Sequence, residues 1–236
     1  MIKLEDWDGK QLDVVIHGDM KGVLEKMGCN PDLTFTSPPY GVGEVLTVRS
    51  QPSVAKGVKP SNYLEYDSHD DIYDEDDLNN KLREIIKKSH LTFWNVPSKQ
   101  FERNFGVSSD LLQDFGVAQV IWDKPNAIPF PRRGVMYFHE LIWIFGDYKK
   151  IYKSFKSVWR YTSQAKSKHP APFPPELPAK AINLCTNKGD IVFDPFGGSG
   201  TTAAVAKAMG RRYITCDISE KYCEWMDERL KKTKVL

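Results

Sequence analysis

Two short stretches of this chain carry residue types suited to chemistry. One is Asp194-Pro195-Phe196-Gly197-Gly198-Ser199-Gly200-Thr201-Thr202, which follows the apolar run Ile191-Val192-Phe193 and precedes Ala203-Ala204-Val205-Ala206. The pattern is strand, glycine turn, helix: glycines let the backbone pass close to a ligand, and the unpaired N–H groups of the helix start face the gap. A small nucleotide-like ligand suits that arrangement, while an ordinary strand-to-helix loop is the competing reading of a lone glycine pattern. Asp217 adds weight to an adenosine, because an acid ending the strand after the turn is where dinucleotide-type folds hold a ribose diol. Thr201-Thr202 follow Gly200 with no Gly-Lys-Ser/Thr, which disfavours a triphosphate-binding loop. NAD and S-adenosylmethionine remain as ligands.

The other stretch is Thr36-Ser37-Pro38-Pro39-Tyr40, after the run Leu33-Thr34-Phe35. Two successive prolines cannot continue a sheet interior, so the chain leaves its strand at the carboxyl end with unpaired carbonyls exposed. A polar group can dock there. This stretch is what separates the two cofactors.

The elements needed to position these stretches are those of an alternating α/β chain. Apolar runs of strand length fall at 12–16, 32–36, 91–96, 117–122, 140–145, 190–194 and 212–217. Helical spacing falls between many of them: Met20, Val23, Leu24 and Met27, with Asp19 in position to cap; Leu78, Leu82, Ile85 and Ile86 within 77–89; and further helices at 109–115, 176–186, after Gly200 as far as Gly210, and 219–232. Seven strands interspersed with helices predict one α/β domain built on a single doubly wound, mostly parallel sheet. Residues 42–77 have little periodicity and are long for a structureless loop, so they read as a mobile insertion over the site.

With 41% hydrophobic and 27% charged residues, the 236-residue chain reads as globular, with one full-sized core. No apolar run approaches the roughly 20 residues of a membrane span. The polar residues 1–10 carry no secretory signal. A cytoplasmic protein without a membrane partner is expected. Cys29, Cys185, Cys216 and Cys223 show no C-x-x-C spacing, which argues against a zinc site or redox pair.

A net charge of +2 does not by itself indicate a nucleic-acid partner. The charges are uneven, however. Residues 67–77 hold acids without bases, whereas Lys149, Lys150, Lys153, Lys156 and Arg160, with Lys166 and Lys168, lie within 146–168 opposite the single acid Asp147. Tyr148, Tyr152, Phe155, Trp159 and Tyr161 are interleaved with them. Bases that follow phosphates and rings that stack suit a small DNA-contacting segment. A solvated element packed through its aromatics is the plain alternative.

Taken together, the chain resembles the amino-methylating DNA methyltransferases, which carry a D/N/S-P-P-Y/F/W catalytic motif and an F-x-G-x-G cofactor motif. Ser37-Pro38-Pro39-Tyr40 and Phe196-Gly197-Gly198-Ser199-Gly200 match them. The catalytic motif comes first, which resembles the permuted β group of these enzymes. His169-Pro170-Ala171-Pro172-Phe173-Pro174-Pro175 followed by the glycine turn, and Gly18-Asp19 before the catalytic strand, are also similar to that group. The resemblance covers most of the chain apart from about 42–77 and the basic segment.

What the resemblance implies is a Rossmann-like enzyme that transfers methyl from S-adenosylmethionine to an exocyclic amino group in a specific sequence of double-stranded DNA. Such an amino group is a poor nucleophile because its lone pair is delocalised into the ring. Acceptors on its N–H groups, the Ser37 hydroxyl and Pro38 carbonyl, favour a pyramidal nitrogen and stabilise the charge that develops on it. The base must be flipped out, with Tyr40 placed to stack on it. Methylation of a ring carbon needs a cysteine nucleophile, typically after a proline, and none of the four cysteines follows one. In the family Ser-Pro-Pro-Tyr is commoner among cytosine-N4 enzymes and Asp-Pro-Pro-Tyr among adenine-N6 enzymes, so Ser37 favours cytosine over adenine.

Residue by residue, Ser37, Pro38, Pro39 and Tyr40 are the implied catalytic set. The cofactor set is Phe196, Gly198 and Gly200 shaping the pocket, Asp194 beside them, and Asp217 on the ribose hydroxyls. Asp19 approaches the adenine amino group, Ser199 and Thr201 give donors to the methionine end, and His169 and Pro172 line the same pocket. No metal is required. Lys124 and Glu140 sit at strand ends, as a structural ion pair or in a functional role. The separate target-recognition region of the family is very short here. A cognate restriction endonuclease is an expected functional partner, and the protein is a monomer or homodimer. Rival readings are a nicotinamide-dependent oxidoreductase, an amino-methyltransferase acting on RNA or protein, and a DNA-binding module without catalysis.

Overall fold

The computed structural model describes residues 1–39, 75–97, 107–126, 138–163 and 173–236. Among the described residues, nine strands form one sheet. In chain order they are β1 (Ile2–Lys3), β2 (Val14–His17), β3 (Leu33–Thr36), β4 (Leu91–Pro97), β5 (Gly116–Asp123), β6 (His139–Gly146), β7 (Val158–Arg160), β8 (Ile191–Asp194) and β9 (Arg212–Asp217). Their order across the sheet is β1-β2-β9-β8-β3-β4-β6-β5-β7. All neighbouring pairs are parallel except the two made by β6, which runs against β4 and β5. The doubly wound, mostly parallel sheet is as expected. The count of seven strands is corrected to nine by two short edge strands, β1 and β7.

The central strands carry little alternation because both faces are covered. All four residues of β3 are buried. Three helices pack on one face: α1 (Met20–Lys26), α2 (Glu75–Lys88) and α3 (Ser109–Phe115). Their buried Val23, Leu82, Ile85 and Leu111 join Ile16, Trp94, Phe193 and Ile214 in one core. The other face is covered by α4 (Glu176–Cys185), α5 (Thr201–Ala208) and α6 (Glu220–Lys232). There Leu177, Ile182, Ala206 and Met226 meet Leu33, Phe35, Phe93 and Ile142. The small residues of α5, Ala203, Ala204 and Ala206, let that helix lie close to the sheet, and all three are buried. Among the described residues no helix is long and apolar enough to cross a membrane.

The proposed insertion at 42–77 lies outside the described residues except for its last three positions, which begin α2.

Candidate active site

The strand order decides what can meet. β8, which leads into the glycine turn, is paired with β3, which leads into Ser37-Pro38-Pro39. Both stretches therefore emerge side by side at the carboxyl edge of the sheet, the usual ligand edge of open α/β folds.

The glycine turn is held from three sides. Gly197 N–H donates to the Cys216 carbonyl at 2.8 Å and Gly200 N–H to the Gly197 carbonyl at 2.7 Å. Gly200 caps α5 in the left-handed region, at φ 73°. A β-carbon on Gly197 would come within 2.5 Å of Met226 Sδ, so α6 packs directly against the turn. Arg229, also on α6, donates to the Ser199 carbonyl and to Thr201 Oγ1, each at 3.0 Å. Ser199 and Thr201 hydroxyls are themselves 3.2 Å apart.

Asp217 ends β9, where its two carboxylate oxygens accept from Gly198 N–H and from Ser219 N–H, each at 2.9 Å. It thus ties the turn to the start of α6. The Asp217 carbonyl also accepts from Gly18 N–H at 3.0 Å, which brings Asp19 to the same edge. The contact Asp19 makes is the helix cap: its Oδ1 accepts from Gly22 N–H at 2.9 Å.

Asp194 joins the two stretches. It is 2% exposed, and its Oδ1 accepts from Thr36 Oγ1 at 2.7 Å and from Phe196 N–H at 3.3 Å. Burial pushes its carboxyl up to about 6, against the opposing influence of the Thr36, Thr202 and Phe196 donors. Thr202 also reaches across, from the first turn of α5 to the Phe35 carbonyl at 3.2 Å. The Phe196 ring stands edge-on to Trp94 of β4, with centroids 6.1 Å apart.

On the other side of Ser37 lies a polar chain. Asn95 of β4 donates to Ser37 Oγ at 3.3 Å and to Glu140 Oε2 at 2.7 Å, and Glu140 Oε1 meets Lys124 Nζ at 2.5 Å. Lys124 also lies over the Trp122 ring, 5.0 Å from its centroid. Glu140 reaches this edge because β6 is reversed, so that its beginning is paired with the end of β4.

Ser37, Pro38, Asp194, Phe196, Gly198, Ser199, Gly200, Thr201, Asp217 and Asp19 are thus brought to one edge, with Pro39 beside them. Tyr40, His169 and Pro172 lie outside the described residues. Thr36, Asn95, Thr202 and Arg229 were not singled out from sequence. Asn95 carried a usable signal, a polar amide inside the apolar run Leu91-Thr92-Phe93-Trp94-Asn95-Val96.

The basic segment is divided. Because β6 ends opposite Leu91, at the start of β4, the residues after Gly146 leave at the amino edge, away from Ser37. Lys149 and Lys150 lie there in a short 3-10 turn. Lys153 donates to Asn183 at the end of α4, and Lys156 follows before β7 begins. β7 then runs back, and Arg160 arrives opposite Asp123 at the carboxyl edge, bonded to its carboxylate at 2.6 Å. The aromatics divide as well. Trp159 is 1% exposed and stacks with Phe93, with Lys180 over its ring at 4.8 Å. Phe155 and Tyr161 pack on the same core, whereas Tyr148 and Tyr152 are exposed.

Comparison with known proteins agrees with this arrangement. The family profile N6_N4_Mtase, described as DNA methylase, matches residues 31–228. The chain is 30% identical over 260 residues to the type II methyltransferase M.HinfI of Haemophilus influenzae, covering 94% of this chain and 69% of that protein. It is 28% identical over 249 residues to the type II methyltransferase M2.LlaDCHI of Lactococcus lactis subsp. cremoris, covering 94% and 91%. Among solved structures, the M1.HpyAVI–SAM complex superposes with a TM-score of 0.62 at 19% identity, over 98% of this chain and 100% of that one. The cytosine-N4-specific PvuII DNA methyltransferase does so with a TM-score of 0.64 at 20% identity, over 91% and 85%. The adjoining glycine turn and Ser-Pro-Pro stretch, on a sheet whose family profile spans most of the chain, make this protein a member of the N6/N4 DNA methylase family.

Proposed function

We propose that the protein transfers a methyl group from S-adenosylmethionine to the exocyclic N4 amino group of cytosine in a specific sequence of double-stranded DNA. The observation that carries this is the adjacency of β3 and β8, joined by the bond between Thr36 and Asp194, because it sets the acceptor stretch beside the cofactor turn.

The residues fit the cofactor. Gly197 lets α6 pack against the turn, α5 begins directly after it, where a helix start offers N–H donors, and Asp217 holds the turn at the position where a ribose diol is bound in related folds. When bound, S-adenosylmethionine supplies an electrophilic methyl on a sulfonium. This chain's part is to orient the amino group: Ser37 Oγ and the Pro38 carbonyl accept its hydrogens, and those bonds strengthen as the nitrogen becomes positive. Tyr40 is proposed to stack on the flipped base. Among the described bases of the segment, Arg160 reaches the carboxyl edge and is assigned to DNA contact; Lys149, Lys150, Lys153 and Lys156 are assigned a less direct part. His169 and Pro172 are assigned to the cofactor pocket by resemblance.

Ser37 in place of an aspartate favours cytosine; adenine N6 is the second reading. We further assign a cytoplasmic role beside a cognate restriction endonuclease, as monomer or homodimer. Mass spectrometry of nucleosides from DNA treated with the protein and S-adenosylmethionine tests the reading. N4-methylcytosine supports it, N6-methyladenine moves it to the second base, and labelled RNA or protein with unmodified DNA overturns it. Titration with S-adenosylhomocysteine against NAD separates it from an oxidoreductase.

A further inference from the structure

We propose that Asn95 is a positioning residue for methyl transfer, which it serves by fixing the hydrogen-bonding direction of the Ser37 hydroxyl; the inference rests on the methyltransferase reading above.

The orientation of the Asn95 amide follows from its partners. Glu140 is held in an ion pair by Lys124, and an ionised carboxylate only accepts, so the atom of Asn95 facing it at 2.7 Å is the NH2 nitrogen. The same nitrogen faces Ser37 Oγ at 3.3 Å. One hydrogen goes to Glu140 and the other to Ser37. Asn95 is 1% exposed, so bulk water does not compete for these contacts.

The consequence lies at Ser37. A serine hydroxyl has two lone pairs and one hydrogen. With one lone pair engaged by Asn95, it presents to the base one lone pair and its own hydrogen. The Watson–Crick edge of an amino base offers the matching pair: an amino N–H as donor and, next to it, a ring nitrogen as acceptor. Ser37 then accepts from the amino group and donates to the ring nitrogen. The Pro38 carbonyl remains for the second amino hydrogen. Without Asn95 the hydroxyl rotates among several arrangements, and the productive one must be selected at each turnover.

The test is a cycle that combines a protein change with a base change. Single-turnover transfer of labelled methyl is measured for the unaltered protein and for Asn95→Ala. Each acts on duplexes carrying the natural target base or its deaza analogue, 3-deazacytosine or 1-deazaadenine, in which the ring nitrogen is replaced by C–H. Asn95→Ala alone and the deaza base alone are each expected to slow transfer about tenfold, the loss of one well-placed hydrogen bond. Together they are expected to cost little more than either alone, because Asn95 acts through the Ser37–ring-nitrogen bond that the deaza base has already removed. S-adenosylhomocysteine affinity is expected to stay unchanged. Asn95→Leu, similar in size and without a donor, is expected to behave likewise and serves if Asn95→Ala does not fold. Losses that multiply, or an unchanged rate in the variants, overturn the inference while leaving the methyltransferase reading intact. Absence of transfer by the unaltered protein overturns both.

Discussion

Thr36 and Asp194, 158 positions apart in the chain, share a hydrogen bond of 2.7 Å inside the protein. One ends the strand before Ser37 and the other ends the strand before the glycine turn, so this contact links the two halves of the site. Replacing Thr36 by Val keeps the shape and removes the donor from a buried carboxyl. A loss of about 1–3 kcal/mol is expected, together with weaker S-adenosylhomocysteine binding. Urea denaturation and calorimetric titration measure the two.

The same carboxyl predicts a pH effect. Its value is raised from the ordinary 3.8 to about 6 by burial, so between those limits the folded protein holds a proton that the unfolded chain has lost. Stability from this group is therefore fully present below about pH 4, falls as pH rises to about 6, and stays lower above that. Asp194→Asn removes the titration. Relative to the unaltered protein the variant should gain up to about 3 kcal/mol between pH 4 and pH 7. A constant difference across that range would remove Asp194 as the source.

The turn is expected to be intolerant of side chains. Gly197→Ala drives a methyl toward Met226 Sδ and Thr215 Oγ1; overpacking of this kind costs about 1–3 kcal/mol. Binding of S-adenosylhomocysteine should weaken. Adding Met226→Ala should recover part of the loss in both melting temperature and affinity.

Ser37 and Asp217 should separate turnover from binding. Ser37→Ala is expected to lower the single-turnover rate strongly with near-normal S-adenosylhomocysteine affinity. Asp217→Ala is expected to weaken that affinity first, since it also removes the acceptors of Gly198 and Ser219 N–H. Unchanged turnover in the Ser37 variant would take that residue out of the mechanism.

The divided basic segment predicts unequal effects on DNA. Arg160→Ala should weaken DNA binding and reduce the salt slope by about 1. The double change Lys149→Ala with Lys150→Ala should leave both nearly unaltered. Fluorescence anisotropy over a range of salt concentrations reads both quantities.

Most of the fold was legible because its signals are local. The run at 91–96 is apolar on both faces, as a central strand must be, and the glycine turn, Asp217 and the Asp19 cap are each set by a few neighbouring residues. β1 and β7 are too short for any periodicity to register, and in β7 only Trp159 is buried. What the sequence could not supply was adjacency. The contacts of Thr36 with Asp194 and of Ser37 with Asn95 depend on β8, β3 and β4 being neighbours, a property of crossovers rather than of any window of residues. That the basic segment is split between two edges was not legible for a related reason. Its composition suits phosphates, but one reversed strand decides at which edge it emerges, and direction leaves no mark in composition.

The reversed β6 therefore also sorts the protein's connections by how much change they can absorb. Lys124 N–H is bonded to the Phe138 carbonyl at 2.7 Å, so the connection from β5 to β6 starts and finishes on the ligand-binding rim. The chain from Asp147 to Ser157 makes its excursion on the opposite rim. An addition beside the exposed Tyr148 would stay clear of the Ser37 edge, whereas Ile151 and Phe155, packed on the core, leave the rest of the excursion no such freedom.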